Sequence, residues 1–192
     1  MRKLAIAFAT LAALTEPAWP CLNGTIYEGD AAVRAIVQVE AEIDAGRPGS
    51  ALATINGGHF LDERVQMRVS DATYLASLRL NPRGRTAYNA VGYFSNRSKQ
   101  DPKNVKLRAW LAESLADVGK AEQARQILVE LRERDLMPDA YAYLTLAKIS
   151  DGADRTAALE TCTKRATVKS ICQMPQRAVP KKKPSYQMRL PD

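Results

Sequence analysis

The feature of this sequence that most constrains its fold is a regular spacing of apolar residues over residues 105–136, with a single break. The spacing is four residues before Gly119 and three or four after it: Leu107, Leu111 and Leu115, then Ala121, Ala124, Leu128 and Leu131. Residues at this spacing fall on one side of an α-helix. The stretch therefore predicts two amphipathic helices joined by a sharp turn, each with one face to bury.

Helix-breaking residues divide the rest of the chain into short segments. Glycine, proline, asparagine and aspartate cluster at 46–49, 56–58, 81–84, 101–102, 137–139 and 151–152. Between these clusters the apolar residues keep a helical spacing. It predicts helices at 30–45, with Asp30 as the N-cap, and at 50–55, 60–80, 86–98, 141–149 and 153–163. No segment shows sustained alternation of apolar and polar residues, so strands are not expected and the predicted fold class is all-α.

The order helix, glycine turn, helix, proline, repeated about every 34 residues, resembles the tetratricopeptide repeat (TPR) family. Six positions of the central pair carry the resemblance: Leu111, Ala112, Leu115, Gly119, Ala124 and Leu128. Departures are Arg108, where the family has its first-helix tryptophan, and Pro138, which comes two residues late. The resemblance implies a short α-solenoid of stacked antiparallel helical hairpins over residues 21–172.

Repeats of this family stack so that their first helices line a concave face, which usually holds a protein or peptide. The resemblance therefore implies a non-catalytic scaffold with a protein or peptide partner. Candidate partner-binding residues on the first helices are Lys106, Arg108, Glu113, Tyr141 and Tyr143.

Residues 1–20 have the layout of a secretory signal peptide. Arg2 and Lys3 precede an apolar run at 4–14, which is too short to span a bilayer. This predicts an exported protein, periplasmic or secreted, with a bacterial host favoured. Cys21 leaves a lipoprotein anchor open as an alternative, although Trp19 and Pro20 fit such a site poorly.

Export would place the three cysteines in an oxidising compartment. Cys162 and Cys172 lie ten residues apart and could close a small disulfide loop, with Cys21 unpaired. Pairing of Cys21 with either of them stays open, because sequence does not determine connectivity.

The positive charge is concentrated near the C-terminus. The whole chain has a net charge of +7, while residues 21–162 are nearly neutral. Residues 173–192 are rich in proline and contain Lys181, Lys182 and Lys183, which predicts a disordered basic tail. The alternative function is therefore an anion-binding envelope protein that uses this tail on a membrane surface, a polysaccharide or a nucleic acid.

Nothing in the sequence indicates catalysis, a cofactor, a metal or a small-molecule substrate. The single histidine, His59, lies beside a glycine pair with no nucleophile pattern around it. Phosphate-binding, zinc-protease and serine-hydrolase motifs do not occur. The sequence therefore favours a protein that is not an enzyme.

Overall fold

The computed structural model describes residues 22–58 and 60–173. These residues form eight α-helices and a final 3-10 helix. The helices are α1 Leu22–Asp44, α2 Pro48–Gly57, α3 Glu63–Leu80, α4 Arg85–Gln100, α5 Val105–Asp117, α6 Ala121–Glu133, α7 Ala140–Lys148 and α8 Gly152–Arg165, and the 3-10 helix is Lys169–Cys172.

The helices pack as four consecutive hairpins, α1/α2, α3/α4, α5/α6 and α7/α8. The second helix of each hairpin also contacts the first helix of the next one, and α1 packs on α3 as α5 does on α7. This arrangement confirms the predicted all-α fold of stacked antiparallel hairpins for the described residues. Contacts between first helices thus join α1 to α3 and α5 to α7.

The central hairpin shows why this sequence turns where it does. The Asn104 side chain accepts hydrogen bonds from the backbone N–H groups of Lys106 and Leu107, which caps the start of α5. Gly119 has a φ of +82°, a conformation that glycine adopts at little cost. Ala124 and Leu128 are fully buried. The small side chain of Ala124 lies where α6 approaches its neighbours.

The stack contains two hydrophobic cores. The first lies among α1 to α4 and includes Leu107, and the second lies among α5 to α8. Leu111 contacts both cores, because α5 separates them. Burial of a leucine or isoleucine contributes about 1.5–3 kcal/mol, so both cores contribute to the stability of the stack.

The C-terminal end of α1, in the first hairpin, lies beside the last hairpin. Gly46, just after α1, has a φ of +74°, and a side-chain carbon there would lie 3.1 Å from Ile171 and 3.2 Å from the Tyr141 hydroxyl. The Thr167 hydroxyl also donates to the Asp44 carbonyl oxygen at 3.4 Å. The end of α1 therefore packs against α7 and the segment after α8.

Cys162 of α8 and Cys172 of the 3-10 helix form a disulfide with their Cα atoms 5.9 Å apart. The predicted Cys162–Cys172 pair is confirmed. The bond holds the 3-10 helix against α7 and α8, close to the end of α1.

Three predicted helix starts are wrong by two or more residues. Helix α3 begins at Glu63, not at Phe60, because the Asp62 side chain accepts a hydrogen bond from the Arg64 N–H and caps the helix there. Helix α1 begins at Leu22, not at Asp30, since the low helix propensity of Gly24, Gly29 and Asp30 is a weak preference that context overrides. Helix α2 begins at Pro48, which occupies the first helical turn, where proline needs no N–H partner.

Several sequence predictions fall outside the described residues. They are the signal peptide at 1–20, the roles of Cys21 and His59, and the tail beyond Gln173. Of the helices in the described part of the chain, none is long and apolar enough to cross a membrane.

Candidate partner-binding groove

A groove of about 270 Å³ lies between the first helices α1, α3 and α5. Its apolar lining consists of Ile43, Ala72, Leu75 and Trp110. Its polar lining consists of Glu40, Asp44, Arg68, Asp71, Asn104 and Lys106. An apolar lining with a few charged groups around it is typical of a site that holds an extended segment or a side chain.

Helical spacing explains why these residues share the groove. On α3, Arg68, Ala72 and Leu75 follow at steps of four and three and form one stripe. On α5, Lys106 and Trp110 are four residues apart. Trp110 packs with one side against the first core, 5.7 Å from the Phe94 ring between centroids, which fixes its position in the groove.

Two ion pairs use most of the charge in the groove. Arg68 of α3 donates to both carboxylate oxygens of Glu40 on α1, at 2.9 and 2.8 Å. Arg97 of α4 donates to both oxygens of Asp71, at 3.0 and 3.1 Å, and the Tyr93 hydroxyl donates to the same group at 2.8 Å. Bidentate pairs of this kind fix both partners in position.

Asp44 and Lys106 keep unpaired charges at the rim. Among the described residues, neither takes part in an ion pair. Asp44 is an exposed residue, yet the helices around its carboxyl remove part of its water. This burial raises the pKa of Asp44, the negative charge of Asp139 adds to the rise, and Arg79 and Lys106 oppose it. The carboxylate would therefore gain from a cationic partner.

Arg79 of α3 lies outside the groove lining, where α7 approaches the other first helices. Its side chain is only 3% exposed and donates to Glu113 of α5 through two nitrogens at 3.0 Å each. Its guanidinium also lies 3.5 Å from the centre of the Tyr141 ring and 3.7 Å from the Asp139 carboxylate. A longer bond of 3.5 Å reaches the Ile43 carbonyl oxygen on α1.

All four first helices thus meet at this one guanidinium. Burial alone would lower the pKa of Arg79, but the carboxylates of Glu113 and Asp139 outweigh it and raise the pKa. The contacts join the two cores through charge as well as through apolar packing.

Residues 89–149 match the model of the tetratricopeptide repeat family. This stretch is a tetratricopeptide repeat region. It runs from within α4 to the end of α7, and it contains all six positions that carry the resemblance. No curated protein and no solved structure matches the chain.

The repeat region contains all five predicted partner-binding residues, but only Lys106 lines the groove. Arg108 donates to Glu130 of α6 at 2.6 Å, so it faces the second helix of its own hairpin. Residues two apart on a helix point about 200° apart, so Lys106 and Arg108 cannot share a face.

Three of the predicted residues are used inside the protein. Glu113 is 7% exposed and pairs with Arg79, and Tyr141 lies half-buried against the same guanidinium. Tyr143 is 6% exposed in the second core, with Arg165 5.2 Å from the centre of its ring. Burial within the chain leaves Glu113 and Tyr143 little surface to offer a partner.

Sequence reasoning missed most of the groove. Glu40, Asp44, Arg68 and Asp71 lie on α1 and α3, where the resemblance to the family is weak. Trp110 carried one signal, because it lies four residues from Lys106 and must therefore share its helix face. Arg79 carried none, since an arginine near the end of a helix is common at the surface.

Asp117, the last residue of α5, has a perturbed acidity. Burial raises the pKa of its carboxyl from the ordinary 3.8 to about 6, with Lys148 opposing the shift and Glu113 adding to it. The folded chain therefore holds this proton more tightly than the unfolded chain. The free energy of unfolding therefore falls as the pH rises from about 3.8 to about 6. Above about pH 6 the carboxylate is ionised in the folded chain, and its full destabilising effect is present.

Replacing Asp117 by asparagine is expected to stabilise the protein at about pH 8 by about 1 kcal/mol and to change little at about pH 4. The value is well below the full shift, because solvent reaches this partly exposed residue. Urea unfolding at both pH values measures the difference. An equal gain at both would show that the carboxyl has its ordinary acidity.

Residues 22–58 and 60–173 contain no cluster of three or more histidine, cysteine, aspartate or glutamate side chains that could hold a metal ion.

Proposed function

We propose that this protein is a non-catalytic scaffold that holds an extended segment of a protein partner in the groove between α1, α3 and α5. The tetratricopeptide repeat region supports a role in protein–protein interaction. The observation that carries the proposal is the groove itself, where apolar side chains lie between charged groups fixed by ion pairs.

The chemistry of the groove suits a peptide. Trp110, which is partly exposed, offers apolar contact for an aliphatic or aromatic side chain. Asp44 and Lys106, whose charges are unpaired, can each accept an opposite charge from the peptide. Charge complementarity at a rim mainly sets the rate and specificity of binding, so we expect binding to weaken as salt is added.

We also propose that the protein is exported. The layout of residues 1–20 supports this, and so does the Cys162–Cys172 disulfide, because disulfides persist in oxidising compartments. N-terminal sequencing and a thiol count on protein from the envelope fraction test it. A protein that keeps residues 1–20 and has every cysteine reduced would contradict export.

Partner recovery from an envelope fraction tests the groove. A double variant with Asp44→Lys and Lys106→Glu keeps the net charge and changes only exposed side chains. We expect it to recover about tenfold less of any partner that the wild-type chain retains. At both positions the reversed side chain would repel the charged group of the partner that the wild-type side chain attracts.

The matched control carries Asp154→Lys and Lys120→Glu, two exposed residues outside the groove. It should recover the partner as the wild-type chain does. Equal recovery by the groove variant and the control would refute the groove as the binding site. Arg108→Glu adds a second comparison, since Arg108 faces α6 and its loss should leave recovery intact.

A further inference from the structure

We propose that the chain's own lysines, Lys181, Lys182 and Lys183, occupy the groove between α1, α3 and α5 and compete there with the partner. The inference rests on the groove assigned under the proposed function. It identifies the group that the Asp44 side of the groove accepts as a lysine side chain, with this chain supplying one.

The chain leaves the described structure beside the groove. The 3-10 helix Lys169–Cys172 lies against the end of α1, where Ile171 approaches Gly46 and Thr167 bonds to the Asp44 carbonyl oxygen. Asp44 is itself part of the groove lining. The disulfide from Cys162 to Cys172 fixes this exit point, so the chain after Gln173 starts near the rim.

The length of the following segment suits this position. Lys181 lies eight residues beyond Gln173, which spans up to about 26 Å when extended. Packed helices lie about 8–10 Å apart. A segment of this length can therefore pass from the end of α1 to the carboxylate of Asp44.

One charged position of the groove suits a cation. With Glu40 paired to Arg68 and Asp71 paired to Arg97, the unpaired charges of the lining are the carboxylate of Asp44 and the ammonium of Lys106. Asp44 is short of water and has no ion-pair partner within the described residues. A lysine ammonium beside Asp44 would supply the missing positive charge.

Trp110 adds a contact that suits a lysine side chain. Its ring lies among the lining residues, and a cation over an indole face gains about 0.5–1 kcal/mol at an exposed site. The aliphatic part of a lysine can also pack on the indole ring while its charged end stays at the rim. A single lysine thus matches both the apolar and the charged lining.

Attachment to the same chain makes even a weak contact effective. A short tether gives an effective concentration on the order of mM, well above the concentration of a second molecule in dilute solution. We therefore expect occupation within one molecule to dominate over exchange between two. A partner must displace the lysines, so binding should strengthen when their charge is removed.

Zero-length carbodiimide crosslinking of the full mature chain tests this, because the reagent joins only lysines and carboxylates already in contact. We expect Lys181–Lys183 to link to Asp44 or Glu40 in the monomer, about tenfold more often than to the exposed Asp154. Asp44→Asn should remove most of these links, while Asp154→Asn should leave them unchanged. Added salt should reduce them.

The indole N–H resonance of Trp110 gives a second measurement. Changing Lys181, Lys182 and Lys183 to glutamate should shift this resonance and increase partner recovery. The matched control changes three exposed lysines elsewhere to glutamate: Lys99, Lys120 and Lys164. It should do neither.

Three results would overturn the inference. They are crosslinks spread evenly over surface carboxylates, crosslinks confined to dimers, and lysines that bind anionic vesicles or heparin while the Trp110 resonance stays fixed in the glutamate variant. The same experiments distinguish the two proposals. If the groove variant loses the partner while Lys181–Lys183 form no crosslinks to Asp44 or Glu40, the groove function stands and this inference fails.

Discussion

Replacing Arg79 by methionine is expected to lower the free energy of unfolding by about 3–5 kcal/mol. The substitution keeps most of the apolar volume but leaves the Glu113 carboxylate, 9% exposed, without its cation. Asp139 and the Tyr141 ring lose the same partner. Urea unfolding followed by far-UV circular dichroism measures the loss.

Arg108→Met is the control, because Arg108 pairs with Glu130, whose side chain is 50% exposed. Solvent screens such a pair, so its loss should cost about 1 kcal/mol or less. If Arg79→Met costs no more than Arg108→Met, the guanidinium does not hold the first helices together.

Removing the Cys162–Cys172 disulfide is expected to cost about 2–3 kcal/mol. The two cysteines are ten residues apart, and the closed loop restricts the unfolded chain. The variant should carry alanine at both positions, because both side chains are buried and a serine hydroxyl would need a partner. Urea unfolding without reductant compares it with the wild-type chain.

Reductant supplies the control for the disulfide. It should destabilise the wild-type protein by the same amount and leave the double alanine variant unchanged. Cys21→Ala should keep the wild-type stability, because the bond joins the other two cysteines. An unchanged midpoint for the reduced wild-type chain would show that the bond does not stabilise the fold.

The central hairpin could be predicted from sequence because its signals are local. The leucine spacing before Gly119 and the alanine and leucine spacing after it each span one helix, and the glycine between them has the positive φ that its position requires. Asp139 lies in the predicted break at 137–139, and its side chain accepts a backbone hydrogen bond at the start of α7. Short-range patterns therefore fixed the helices and the fold class.

The groove could not be predicted because its contacts join residues far apart in sequence. Arg79 and Glu113 are 34 residues apart, and Thr167 and Asp44 are 123 apart. Helix spacing states which residues share a face, but not which faces meet. For that reason Lys106 was among the predicted residues, whereas Glu40 and Asp44 on α1, which line the same groove, were not.

The same reasoning explains why contacts within the chain were not foreseen at two of the predicted partner-binding residues. Glu113 and Tyr141 both contact Arg79. The groove lies further along α1, α3 and α5, and only Lys106 of the five predicted residues lines it.

The central claim is that the first helices are joined at Arg79, which leaves the groove as the open part of their face. A double-mutant cycle with Arg79→Met, Glu113→Leu and the double variant tests this pairing directly. We predict a coupling energy of about 2 kcal/mol or more, with the double variant more stable than the sum of the single losses implies. Losses that add to within about 0.5 kcal/mol would contradict it.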